Sequence, residues 1–175
     1  MRNLVTIKLL NNLILVCALL SLPLTSSAVE LSAKSAVTTD KSLPIFSRIY
    51  DPKRDPIADG IEALKIASAN NRKVIIEVGG NWCAWCHKLD NFIHSHPKLK
   101  KDFFDTFVLV KVNVSEENDN QEFLKVFPKT FGYPHMYVTD EKGKILQSKD
   151  TGEFLKDKRY SVERFYTFIN RWKAK

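Results

Sequence analysis

The sequence predicts one α/β domain whose elements run helix, strand, helix, strand, helix, strand, strand, helix. Three observations carry this. Val74-Ile75-Ile76-Glu77-Val78 is a short β-branched run suited to a strand buried on both faces of a sheet. Apolar residues recur at helical spacing on either side of it. Two short strand-like runs then flank a turn at Gly143. The 175 residues suit one domain, and a hydrophobic content of 44% is ordinary for a globular chain.

The amino-terminal stretch stands apart from that domain. Arg2 and Lys8 precede an apolar run from Leu9 to Leu24, and Ser26-Ser27-Ala28 supplies small residues, so residues 1–28 read as a secretory signal peptide cleaved after Ala28. The run is short for a transmembrane helix, and membrane attachment is expected only if the segment is retained. Cys17 follows Val16, where a lipoprotein site would need a small residue, so lipidation is not expected. Export is therefore predicted, to the periplasm in a Gram-negative bacterium and otherwise to the cell envelope or medium. Residues 29–43, rich in Ser, Thr, Ala and Lys, read as a flexible tether, leaving 44–175 as the domain. Of the three cysteines only Cys83 and Cys86 then remain, and they can pair only with each other. The formal charge of +7 is spread along the chain and loses two cations with the leader; with export, this argues against nucleic acid as a partner.

Within the domain, Asp55-Pro56 starts a helix with a side-chain acceptor at the N-cap and a proline at the first turn. Ile57, Ile61 and Leu64 supply its apolar face, and Asn70-Asn71 ends it. After the central strand, Gly79-Gly80 turns the chain into Trp82 and a helix with Trp85, Leu89, Phe92 and Ile93 on one stripe. Phe107 to Val114 reads as a strand and Gln121 to Phe127 as a short helix. His135 to Thr139 and Lys144 to Gln147 form the hairpin. Ser161 caps a last helix whose apolar face is Val162, Phe165, Phe168, Ile169 and Trp172.

The chemistry centres on the two cysteines. A thiol attacks as thiolate, and a cysteine at a helix amino terminus has its anion favoured by unpaired N–H groups and the helix dipole; Cys83 occupies that place. Cys86 lies one turn on, where it can attack a mixed disulfide held by Cys83. His87, four residues after Cys83, is placed either to favour the thiolate or to face solvent.

In this strand-to-helix setting, Trp82-Cys83-Ala84-Trp85-Cys86 resembles the W-C-x-x-C site of the thioredoxin superfamily, and the likeness runs from about Ile57 to Trp172. The resemblance implies a thioredoxin fold, a central mixed sheet flanked by helices, with an extra amino-terminal helix. It implies that Pro134, preceded by Tyr133, is the cis proline facing the cysteine pair, with substrate bound by the backbone beside it. It also implies that Glu77, six positions before Cys83, is the buried carboxylate that moves a proton for Cys86. Trp82, Tyr133 and Pro134 would form the substrate surface; Trp85 would either join them or pack on its helical stripe. The pattern is similar to exported single-domain thioredoxins and to the carboxy-terminal domain of bacterial transmembrane disulfide reductases. The expected activity is thiol-disulfide exchange on protein disulfides in the reducing direction. It would need no cofactor beyond the Cys83–Cys86 pair and no metal. The partners would be protein thiols and disulfides, including a membrane or exported redox protein, and the chain a monomer.

Three other readings stand beside this one. Cys83-Ala84-Trp85-Cys86-His87 also spells the C-x-x-C-H of c-type haem attachment, which the buried entry strand and the Tyr133-Pro134 segment do not require. A zinc site would use the cysteines with His87, His94 or His96, but no second C-x-x-C completes a tetrahedral set. A noncatalytic domain stapled by the disulfide is the third; so short a loop adds little as a staple.

Overall fold

A computed structural model describes residues 42–173. The predicted signal peptide and all of the tether but Ser42 and Leu43 lie outside the described residues. Among these, no helix is long and apolar enough to cross a membrane.

The chain enters through a 3-10 turn at Ile45–Ser47 and an irregular stretch to Asp55. There follow α1 (Pro56–Ala69), β1 (Lys73–Gly79), α2 (Ala84–Ser95), α3 (Pro97–Thr106), β2 (Phe107–Asn113), α4 (Gln121–Leu124), β3 (His135–Thr139) and β4 (Ile145–Asp150). A second 3-10 turn, a hairpin of β5 (Leu155–Lys156) and β6 (Arg159–Tyr160), and α5 (Val162–Trp172) complete it. The four-stranded sheet has the order β2-β1-β3-β4. β1 is parallel to β2 and antiparallel to β3, which pairs antiparallel with β4, so the sheet is mixed as expected.

Alternation along β1 divides the core. Val74, Ile76 and Val78 face α1 and pack with Phe46, Ala63, Ala67, Val108, Val110 and Val112. Ile75 faces the other way, into Leu89 and Ile93 of α2, Leu99 and Phe103 of α3, and Phe165, Phe168 and Ile169 of α5. A strand buried on both faces reads as an unbroken apolar run, and β1 from Val74 onward is one except at Glu77.

The structure departs from expectation in four places. The buried side of α1 is not formed by Ile57 and Ile61, which are exposed; the small Ala63 and Ala67 let the helix lie close on the sheet. Residues 97–106, unassigned from sequence, form α3: His96 closes α2 and opens α3, with Pro97 at the first helical position. The helix predicted over Gln121 to Phe127 stops at Leu124. The β5–β6 hairpin turns through Asp157 and Lys158, both at positive φ, 51° and 60°. Such a turn normally advertises itself with Asn-Gly or Asp-Gly, and Asp-Lys carries no such signal.

α5 is held over the sheet by aromatic stacking: Phe165 lies 4.2 Å from Phe154 and 5.3 Å from Phe92, centroid to centroid. Phe165→Ala should cost about 3–5 kcal/mol, read as a drop in the urea unfolding free energy. A loss under about 1 kcal/mol would show that α5 is not part of the cooperative core.

Candidate active site

β1 ends at Gly79, and the chain turns through Gly80, Asn81 and Trp82 into α2, of which Cys83 is the N-cap. The Cys83 N–H donates to the Gly80 carbonyl at 3.0 Å, closing that turn. Cys83 and Cys86 are joined by a disulfide. The Cys86 N–H donates to the Cys83 sulfur at 3.1 Å, so in the dithiol form the same donor would favour a thiolate on Cys83. Both cysteines are nearly inaccessible, at 4% and 1% exposure, and share a small cluster with Tyr50 and Tyr133.

Trp82 is 61% exposed; its indole N–H donates to the Val114 carbonyl at 2.6 Å and its ring meets Tyr133 edge-on at 5.7 Å. The Tyr133–Pro134 peptide bond is cis, as the resemblance implied, and Pro134 leads directly into β3. The Thr151 hydroxyl donates to the Pro134 carbonyl at 2.6 Å and fixes the loop from the β4 side. Trp85 is 39% exposed, edge-on to Tyr160 at 5.9 Å and covered by the Lys88 ammonium at 4.2 Å. It therefore stands at the rim, not in the core. With Tyr133, Pro134, Thr151, Leu155 and Tyr160 it lines a cavity of about 290 Å³. A second cavity of about 620 Å³ lies along Trp82, Val114, Ser115, Glu116 and Glu117.

The His87 ring is bonded to the backbone of the turn that precedes Cys83. Its Nε2 lies 2.7 Å from the Asn81 carbonyl, which can only accept, so that nitrogen carries the hydrogen and the ring ties down the turn. The Asn81 amide in turn donates to the Tyr50 carbonyl at 2.7 Å, binding the segment before α1 to the cysteine turn.

Glu77 is 1% exposed. The Tyr50 hydroxyl donates to its Oε1, while its Oε2 is buried with no partner. Lys111 stands opposite Glu77 in the β1–β2 register, yet its ammonium is paired with the Asp90 carboxylate and bonded to the Arg48 carbonyl at 3.3 Å. Burial dominates and pushes the Glu77 carboxyl up to about 7; Asp90 adds to the rise, while Lys111 and the Tyr50 bond oppose it. Burial and the neighbouring Glu77 likewise hold the Tyr50 phenol well above its ordinary value.

The structure thus brings Cys83, Cys86 and Tyr133 together, with Pro134 next in the chain, Trp82 and Trp85 at the rim, and Glu77 joined to the cluster through Tyr50. Sequence reasoning did not find Tyr50, Asp90, Asn81 or Phe131, the last 88% exposed just before the cis proline loop. Lys111, a lone cation inside an apolar strand, was the one available signal for the buried charges. Among the described residues no group of three or more His, Cys, Asp or Glu is placed to hold a metal ion.

Comparison with known proteins agrees with this geometry. A family model described as "Thioredoxin-like" matches residues 55–140. An uncharacterized protein of Caenorhabditis elegans, B0495.5, is 27% identical over 105 residues; the match spans 60% of the chain but 14% of that relative's length. Among solved structures, a disulphide isomerase from Xylella fastidiosa Temecula1 superposes with a TM-score of 0.59 at 24% identity, covering 74% of this chain and 95% of the other. The oxidised carboxy-terminal domain of Neisseria meningitidis DsbD gives a TM-score of 0.51 at 15% identity, covering 68% and 97%. At these identities the structural likenesses establish the fold.

A carboxyl whose pKa is higher in the folded chain than in the unfolded one binds its proton more tightly when folded. Its contribution is full below the unfolded value and is lost as pH rises through the folded one, here between 4.5 and about 7. The oxidised protein should therefore lose stability relative to Glu77→Gln as pH rises from 5 to 8, by at most about 3 kcal/mol. Urea titrations of both at each pH measure the difference; a constant difference would show that Glu77 is ionised throughout.

Proposed function

Because the chain belongs to the thioredoxin superfamily, we propose that it is a thiol-disulfide oxidoreductase that reduces protein disulfides through Cys83 and Cys86. The observation that carries this is the disulfide at the amino terminus of α2, closed over a buried carboxylate and faced by the cis proline loop.

In the dithiol form, the Cys83 thiolate attacks one sulfur of a substrate disulfide. A Cys83–substrate S–S bond forms, the substrate bond breaks, and one substrate thiolate leaves. Cys86 then gives up its proton to the Glu77 carboxylate and attacks the Cys83 sulfur. The second substrate thiolate leaves and takes a proton, and two electrons have passed from the pair to the substrate. Trp82, Tyr133 and Pro134 hold the substrate chain, extended along the loop, with Trp85 at the edge of the contact. His87 keeps the turn that presents Cys83 in place.

Two features support the reducing direction. A dithiol is a strong oxidant when its reduced form is specially stabilised, and Ala84-Trp85 places no cation between the sulfurs. An ionised Glu77 nearby also disfavours a thiolate pair. A leader of the kind in residues 1–28 supports export, and a reductant outside the cytoplasm must be recharged by a membrane or exported dithiol protein. The chain would act as a monomer with no bound cofactor.

Equilibration with glutathione should give a potential near about −270 mV; a value near about −120 mV would reverse the direction of flow. Cys83→Ser should abolish turnover of a protein disulfide. Cys86→Ser should instead accumulate mixed disulfides, visible as reducible adducts on non-reducing gels. A pair that does not equilibrate at all would refute the activity.

A further inference from the structure

Glu77 reaches the cysteine pair through a residue outside the motif. The Tyr50 hydroxyl donates to Glu77 Oε1, and the Tyr50 ring packs in one cluster with Cys83 and Cys86, itself 2% exposed. The meeting point is above Gly79. A β-carbon placed there would lie 2.6 Å from the Cys86 sulfur and 2.9 Å from the Tyr50 hydroxyl, so sulfur and hydroxyl are within 6 Å of each other across the space a side chain would fill. Gly79 and Glu77 point to the same face of β1, which puts carboxyl, hydroxyl and sulfur in sequence along it.

From this geometry we propose that the Tyr50 hydroxyl relays the proton between Cys86 and Glu77 during resolution of the mixed disulfide. The inference rests on the oxidoreductase reading above and adds the path. Cys86 passes its proton to the Tyr50 oxygen as the Tyr50 hydrogen passes to Glu77. Cys86 is left a thiolate and Glu77 a neutral acid, with Tyr50 neutral before and after. A phenol that resists ionisation suits that role, since it conducts without holding charge. The remaining groups around Glu77 do not compete for the path. Lys111 from β2 is engaged by Asp90 of α2, Met136 opposite on β3 is apolar, and the Tyr160 ring of β6 packs edge-on against Trp85. The segment carrying Tyr50 is held to the cysteine turn by Asn81. The relay is thus assembled from a part of the chain that lies before α1 and outside the W-C-x-x-C segment.

The test isolates the resolving step. The reduced full chain, with Cys17→Ser so that only the pair reports, is mixed with excess aromatic disulfide reagent. The first coloured thiolate marks capture by Cys83, and the second, unimolecular release marks attack by Cys86. At pH 7, Tyr50→Phe and Glu77→Gln should each slow the second release by about tenfold or more relative to the first release of the same variant, and together be no slower than the slower single variant. Wild type should show a curved proton inventory in mixed light and heavy water, because two protons move. A second release in Tyr50→Phe within twofold of wild type, a multiplicative loss in the double variant, or a linear wild-type inventory would each overturn the relay while leaving the activity standing. Absence of any second release in wild type would instead remove the activity, and the relay with it.

Discussion

The end of β1 runs directly beneath the Cys83–Cys86 bond, and the arrangement of the site follows from how close that approach is. A β-carbon at position 79 would come within 3 Å of both the Cys86 sulfur and the Tyr50 hydroxyl. Such contacts force backbone or ring to move, so the strand can close under the disulfide only with glycine there. With the strand so close, α2 starts immediately after the turn, and the Cys86 N–H in its first turn donates to the Cys83 sulfur. The same closeness puts Glu77, two residues earlier on the same face, in the space below the pair.

Burying a carboxylate there is costly, and the fold does not offset the cost in the obvious way. Lys111 occupies the register position opposite Glu77, from which a lysine could neutralise it, but its ammonium goes to Asp90. The nearest cation is shared, and the second carboxylate works against ionisation of the first. Glu77 retains one neutral donor, Tyr50, and one unpartnered oxygen. A single hydrogen bond does not recover the solvation of an anion, so the acid and its base are held close in free energy near neutral pH. Under the proposed function that balance is useful, because a group that must accept and return a proton each cycle works best when neither form is strongly favoured.

What the sequence disclosed and what it concealed follow from the range of the interactions. Strand β1, the turn and α2 were legible because β-branched residues, a Gly-Gly pair and an apolar stripe are local signals, and the cysteine spacing lies within one helical turn. Pro134 was legible through its order relative to the motif. Tyr50 was not: it sits in an irregular stretch with no periodicity, and its partner Glu77 is 27 positions away. The Asp90–Lys111 pair joins α2 to β2 across 21 positions, so neither residue announced the other. α3 was missed because His96 and Pro97 end one helix and begin another without an intervening loop. The apolar face of α1 was misplaced because isoleucines outrank alanines in hydropathy, whereas packing onto a flat strand pair selects for small size.

The rim adds a constraint on what the pair can meet. Cys83 is only 4% exposed, so a substrate sulfur can reach it only when the substrate chain lies against the surrounding surface. That surface is Trp82, the Tyr133 ring edge-on to it, and the cis proline loop, with exposed Phe131 beside the loop and Trp85 beyond. Aromatic groups held at a rim by one polar contact each, as Trp82 is held by the Val114 carbonyl, give apolar area at little cost in conformational freedom. Two cavities are lined by residues of that rim, one by Trp85, Tyr133, Pro134 and Tyr160 and the other by Trp82, Glu116 and Glu117. Recognition under this reading depends on an unfolded or extended segment, because a compact surface cannot bring a sulfur down to a cysteine buried beside Tyr50 and Tyr133.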